Sequence, residues 1–307
     1  MVSYRKLIQI LAERGINRTQ LGAGVGLSSR TVAKIAKGER LSAATLARIA
    51  AYLEVNASDL MDEVSSNSVL QVLRDEKRAG ISGGLYHELQ VRMTYNSNHM
   101  EGSRLSEEQT RMIFETRTLD VADGVLVDDI IEASNHFRAI DYVIDIAEEP
   151  LSEEAIKRIH LILKQGTRDA DLPWFAVGAY KTRPNVVGGR ATASSFDVPA
   201  RMAELLEGYT ALGTVTFEDI VCLHAVFERI HPFQDGNGRV GRLVALKECL
   251  HHGIVPFYIE DAKKGFYYRG LAEWERERGW LMDTCRDGQD QFERLLDMFA
   301  VDHTNRA

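Results

Sequence analysis

Apolar positions recur at helical spacing along most of the chain. Ile130, Ile131, Phe137, Ile140, Val143 and Ile144 form one such run, and Ile156, Ile159, Leu161 and Leu163 another. Each gathers its apolar side chains on one face and predicts an amphipathic helix. Ser152 stands before the second run and is followed by Glu153 and Glu154, an N-cap with acids in the first turn, where the helix dipole favours them. A further helix is predicted from near Thr216 through Ile220, Leu223, Val226 and Phe227 to Arg229. Another runs from about Asn237 through Leu243, Leu246 and Leu250 to Gly253, and two more lie between Tyr267 and about Phe299. One stretch breaks the pattern. Tyr180-Lys-Thr-Arg-Pro-Asn-Val-Val-Gly-Gly-Arg190 carries the turn residues of a short hairpin or flap. No internal repeat or low-complexity tract is present. The predicted fold class is all-α with one small β-hairpin.

Composition divides the chain. Residues 1–63 hold nine basic and six acidic side chains, +3, which leaves −11 of the formal −8 for residues 64–307. A basic head on an acidic body predicts two modules with different partners. The polar run Ser65-Ser66-Asn67-Ser68 marks the join. The expected division is a head at 1–63, a linker and connecting helix at 64–82, and a body at 83–307. Cys222, Cys249 and Cys285 are odd in number, distant from one another and without a CxxC pair. They speak against a disulfide framework and a structural zinc site, and for a reducing, cytoplasmic setting. No uncharged apolar run approaches a membrane span, and the N-terminus does not read as a signal peptide; no membrane partner is expected.

Within the head, Thr19–Leu27 reads as a short helix and turn, with Gly26 where the chain must change direction. Ser28 caps a second helix, Ser29 to Lys37, which Gly38 ends. Val32, Ile35 and Ala36 point to a core, leaving Ser29, Arg30, Lys34 and Lys37 outward as donors for phosphates and purine edges. Leu41 to Val55 closes the bundle. The head resembles the Cro/repressor type of helix-turn-helix, which implies duplex DNA as partner and a homodimer on a two-fold site.

The densest chemistry lies in His231-Pro-Phe-Gln-Asp-Gly-Asn-Gly-Arg-Val-Gly-Arg242. A helix ends near Arg229 and the next begins near Asn237. Gly236 and Gly238 remove side chains there, so backbone N–H groups can approach an anion. Arg239 and Arg242, three apart, share a helix face and can grip phosphate oxygens. Asp235 beside such a nest makes sense as the holder of Mg²⁺. His231 stands at the mouth as a general base, and Phe233 plugs the core.

This segment resembles the Fic signature HPFx(D/E)GNGRxxR at every specified position, and the resemblance extends over roughly residues 83–303. It implies a protein adenylyltransferase: AMP passes from ATP to a Ser, Thr or Tyr hydroxyl of a target protein, and pyrophosphate leaves. By the same resemblance, His231 is the base and Asp235 holds Mg²⁺. The amides of Gly236 to Gly238 cradle the anion and Asn237 orients the α-phosphate, while Arg239 and Arg242 bind the β- and γ-phosphates. The 180–189 segment matches the family's flap, which holds the target as an added strand, with Asn185, Val186, Val187 and Gly188 bordering the nucleotide. Tyr267 and Tyr268 match an aromatic pair of the adenine pocket. Eight residues beyond Tyr267 this chain has Glu275 where relatives often have Asn.

Ser97-Asn-His-Met-Glu101-Gly102 matches the family's inhibitory motif, (S/T)xxxE(G/N), placed on a helix at about 83–102. The resemblance implies that Glu101 pairs with Arg242, takes the γ-phosphate's place and restrains transfer; Ser97 and Gly102 complete the motif. Alternatives in the same frame are a DNA-binding regulator that uses the body as a nucleotide sensor, removal of AMP through Glu101, and phosphocholine transfer. A kinase that holds ATP inverted is disfavoured, because Gly238 leaves the usual phosphate position open.

Overall fold

In the computed structural model, the described residues are 2–4, 7, 8, 10, 11, 14–36, 41–57, 60, 62, 63, 68–120 and 124–303. They fall into two units, Met1–Ser68 and Val69–Ala307.

The first unit is a small helical bundle with α1 (Arg18–Val25), α2 (Ser29–Ala36) and α3 (Ala43–Leu53). Asn17 and Gln20 form a reciprocal capping box at the start of α1, and Gly26 ends it at φ 69°, a left-handed turn that glycine adopts without penalty. Ser28 Oγ accepts the Thr31 N–H at 3.2 Å, as expected of a cap. Leu7, Leu21, Ile35, Ile49, Leu53 and Leu60 fill the core. A short ladder that the sequence did not signal closes the unit: β1 (Val2–Ser3) pairs antiparallel with β2 (Asp62–Glu63). Two residues per strand are too few to show alternation.

The second unit contains α4 (Ser68–Ala79), α5 (Leu85–Met100), α6 (Glu107–Thr116), α7 (Val127–Asp145) and α8 (Glu153–Lys164). After these come β3 (Val186–Val187) and β4 (Arg190–Ala191), then α9 (Val198–Thr210), α10 (Phe217–Ile230), α11 (Asn237–His252), α12 (Lys264–Glu273) and α13 (Gly279–Met298). Helix α11 is the axis of this unit, buried almost all round. One side sends Leu243 and Leu246 into a core with Ile140, Ile159, Phe227 and Phe292. Another sends Ala245 and Cys249 into a core with Ile220, Phe257, Trp274 and Leu281. A helix enclosed on every side has its N-terminus fixed in place, which is what a site built there requires. Helix α4, in the stretch expected to connect the modules, inserts Val69, Leu70 and Leu73 into the first of these cores. The flap forms as expected: Val186 pairs with Ala191 and Val187 with Arg190 across Gly188-Gly189. The fold is all-α apart from this small hairpin and the short β1–β2 ladder of the first unit, and no helix among the described residues is long and apolar enough to cross a membrane.

Candidate active site

Helix α10 opens at a Thr216 capping box and stops at His231, whose φ of 52° puts a non-glycine residue in the left-handed region, at a cost other contacts must cover. They are present. The His231 N–H donates to Phe227 O at 2.9 Å. Phe233 is fully buried and stacks on the His160 ring, centroids 4.0 Å apart and planes 6° apart. Asn237 ties the loop into a ring: its Oδ1 accepts the Phe233 N–H at 2.8 Å, and its Nδ2 donates to Phe233 O at 2.9 Å. Gly236, at φ 78°, then turns the chain into α11. His160 buttresses this loop from α8. Its Nδ1 accepts the Gly178 N–H at 2.9 Å and its Nε2 lies 3.2 Å from Asp235 O, so the proton sits on Nε2.

The flap is bolted to the same loop. Lys181 N–H donates to Pro232 O at 2.8 Å. Asn185 Nδ2 donates to Phe233 O at 3.1 Å, while its Oδ1 accepts from Lys181 Nζ at 2.7 Å. The side chains of Asn185 and Asn237 are therefore engaged in shaping the loop. Val186 and Val187 are exposed.

Charge is arranged in two groups. Beneath the loop, Lys164 Nζ lies 2.7 Å from Glu132 Oε1, 3.0 Å from Asp169 Oδ2 and 2.8 Å from Asp235 Oδ2. Arg239 pairs with Glu132 at 2.5 Å and Asp235 at 3.3 Å. Burial works to raise the Asp235 carboxyl, but Arg239 and Lys164 hold it down to about 2; it is ionised and its side chain is half exposed. Above the loop, burial pushes His231 down to about 4, so the imidazole is neutral near pH 7. Its Nδ1 lies 3.3 Å from Glu228 O, which leaves the Nε2 lone pair free of that contact.

Helix α5 reaches into the upper group. Arg242, buried, has its Nε 2.9 Å from Ser97 Oγ, and its Nη2 3.0 Å from Ser97 O and 2.8 Å from Glu101 Oε1. Asn98 Oδ1 accepts from Arg239 Nη1 at 3.4 Å. A Cβ placed on Gly238 would lie 2.2 Å from Glu101 Oε1. The Glu101 carboxylate thus presses against the first turn of α11, where N–H groups have no acceptor within the helix. Gly102, at φ 99°, turns the chain away.

His231, Gly238, Arg242, Glu101, Val187, Gly188, Tyr267 and Tyr268 face one cleft of about 1450 Å³, large enough for a nucleotide and part of a partner chain. Tyr267 is buried, its Oη 2.7 Å from His224 Nε2; Tyr268 donates to Met100 O at 3.0 Å. Glu275 pairs with Arg229 on the cleft wall. Glu132, His160, Lys164, Lys181 and Glu228 belong to the site without having been picked from the sequence. The i, i+4 spacing of His160 and Lys164 and the i−3 place of Glu228 before His231 were the only signals, and both patterns are common on any helix. In the head, Arg30 is exposed and Lys34 half-buried on α2; Ser29 begins that helix, and Lys37 lies outside the described residues.

Comparisons with known proteins bear on both units. The Fic/DOC family is matched over residues 150–249, and the Cro/C1-type HTH DNA-binding domain over residues 6–64. The chain is 26% identical over 215 residues to protein adenylyltransferase Fic of Aedes aegypti, covering 69% of this chain and 42% of that protein. It is 28% identical over 210 residues to the protein of that name from Drosophila willistoni, covering 67% and 40%. It spans about two fifths of the length of these relatives. Among solved structures, a Fic domain containing signaling protein from Bacteroides thetaiotaomicron superposes with a TM-score of 0.62 at 24% identity, covering 79% of this chain and 97% of the other. Fic-1 from C. elegans gives 0.59 at 16% identity, covering 97% and 99%. The chain carries a Cro/C1-type helix-turn-helix domain followed by a Fic domain.

Proposed function

We propose that the Fic domain of this protein is a protein adenylyltransferase that Glu101 holds at rest, and that the helix-turn-helix head binds duplex DNA as a homodimer. One observation carries the catalytic part. A neutral imidazole, the first turn of α11 at Gly238 and a buried guanidinium converge on one cleft. The names of the relatives from Aedes aegypti and Drosophila willistoni point the same way.

ATP enters with its phosphates toward Gly236 to Gly238 and its base toward Tyr267 and Tyr268. Arg242 and Arg239 offset phosphate charge as donors already fixed in place, which need no reorganisation during transfer. His231 Nε2 takes the proton of the target hydroxyl. The hydroxyl oxygen bonds to the α-phosphorus, the bond from that phosphorus to the bridging oxygen breaks, and pyrophosphate leaves. The ionised, half-exposed Asp235 suits Mg²⁺, a hard cation. No cluster of three metal-ligating side chains occurs among the described residues, so nucleotide and water would complete the shell of an ion that arrives with ATP and neutralises phosphate charge. The flap, pinned through Lys181 and Asn185, leaves Val186 and Val187 exposed to receive the target strand.

At rest, Glu101 stands against the helix start where a phosphate would sit and occupies Arg242. The carboxylate and a phosphate compete for the same donors.

The test uses ATP labelled at the α- or the γ-phosphate, with Mg²⁺. Label is expected to reach protein from the α-position, and His231→Ala should reduce it by ~10²–10⁴-fold, the usual contribution of a general base. Label from the γ-position would make the enzyme a kinase. Binding of ATP with transfer of neither label would favour a nucleotide sensor.

A further inference from the structure

Glu228 sits one helical turn before His231 on α10, and nine-tenths of its side chain is buried. Its Oε2 lies 3.9 Å from His231 Nδ1. Its Oε1 is buried with no hydrogen-bond partner. The absent side chain of Gly241 makes the room: a Cβ there would lie 2.7 Å from Glu228 Oε1 and 2.9 Å from His224 Nδ1. An ionised carboxylate so placed, with one oxygen unpaired, is costly, and a neutral acid is much less so. Burial accordingly pushes Glu228 up to about 8, against the pull of Arg242 on α11 and with the help of Glu101 beyond α5.

We infer that Glu228 is a positioning residue that sets the basicity of His231: as a neutral acid it leaves the imidazole only the contact with the Glu228 backbone carbonyl, and as a carboxylate it adds a charge that stabilises the imidazolium formed when His231 takes the target's proton. The inference rests on His231 being the base proposed above. Burial opposes the charged form of that base above all, and Lys181 at the foot of the flap adds to this, while the contact with the Glu228 backbone carbonyl, then Glu101 and Asp235, favour it without offsetting burial. Tyr267 on α12 and His224 on α10 also face this group of side chains. A negative charge at 3.9 Å from Nδ1 is closer than the usual range for raising the pKa of a neighbour. When Glu228 ionises, its proton goes to solvent. The proton later taken by His231 Nε2 is the target's own, so the two events stay separate.

The measurement is a titration of the full-length chain by imidazole NMR from about pH 6 to about pH 9.5, the span in which a group near 8 changes charge. The His231 signal is assigned by its loss in His231→Ala. In the wild type it should move with an inflection near 8, and Glu228→Gln should abolish the inflection. Transfer, assayed over the same range, should rise on the order of tenfold in kcat through that inflection in the wild type and stay flat in Glu228→Gln, with KM for ATP unaltered. A His231 signal that stays flat in the wild type overturns the inference, and needs no variant to fold. So does an inflection that persists in Glu228→Gln. An NMR inflection without any AMP transfer would refute the adenylyltransferase reading and leave the Glu228–His231 coupling standing.

Discussion

Acid should destabilise the Fic domain through histidines that it buries in the neutral form. Burial pushes His160 and His224 down to about 3 and His231 to about 4, from 6.5, and depresses His136 as well. Each folded-state value lies below the unfolded one, so the unfolded chain takes up protons first as the pH falls. The stability each histidine contributes is present above 6.5 and is lost on the way down to its folded-state value. From about pH 7 to about pH 5 that loss is about 2 kcal/mol per histidine. Glu228 works in the other direction. Raised from 4.5 to about 8, it contributes stability that is complete below 4.5 and lost as the pH rises through 8, so it returns about 2.5 kcal/mol over the same interval. His160, His224 and His231 against Glu228 leave a net loss of about 3 kcal/mol, to which His136 adds, out of the ~5–15 kcal/mol typical of a domain. Urea unfolding at the two pH values, followed by tryptophan fluorescence, measures it. The expected result is a lower midpoint at pH 5 with an unchanged m-value, and a shallower pH slope in His160→Gln. Equal unfolding free energies at the two pH values would refute the reasoning.

Two further outcomes follow from the charge layout. Lys164→Met should cost about 1–3 kcal/mol in urea unfolding, because it takes one counter-ion from the largely buried Glu132, while Asp169 and Asp235 are half exposed and water can replace the lost contact; a variant as stable as the wild type would mean that Arg239 alone satisfies Glu132. The head should bind duplex DNA with a log–log salt slope near −5 if two copies neutralise about six phosphates through Arg30, Lys34 and Lys37. Arg30→Ala should reduce that slope by about 2 per dimer, and an unchanged slope would move the contact off α2.

Much of this was legible in the residues. The periodic runs and the caps at Ser28 and Ser152 located helices, because a cap and an apolar stripe are local features. The 231–242 loop was legible because its parts are contiguous. Tertiary partners were not. Nothing around Lys164 marks it as the counter-ion of Asp235, seventy-one positions away, and nothing near Glu228 shows that Gly241 leaves it room but no donor. Asn185 and Asn237 show the reverse limit. Their types suit phosphate recognition, yet the fold engages both side chains with the backbone of Phe233, a contact that only the closed loop creates.

The rate of AMP transfer in Glu101→Gly, set beside the wild type at equal protein and ATP, tests the central claim most directly. Removing the carboxylate clears the first turn of α11 at Gly238 and frees Arg242 Nη2 from its 2.8 Å contact. Misplacement of reacting groups by about 1 Å costs ~10²-fold, so the variant should transfer AMP at least that much faster. Adding His231→Ala to it should return the rate to background, since clearing the helix start does not replace the base. Equal rates in Glu101→Gly and the wild type would contradict the account, for they would mean that the carboxylate at Gly238 does not stand in the path of the nucleotide.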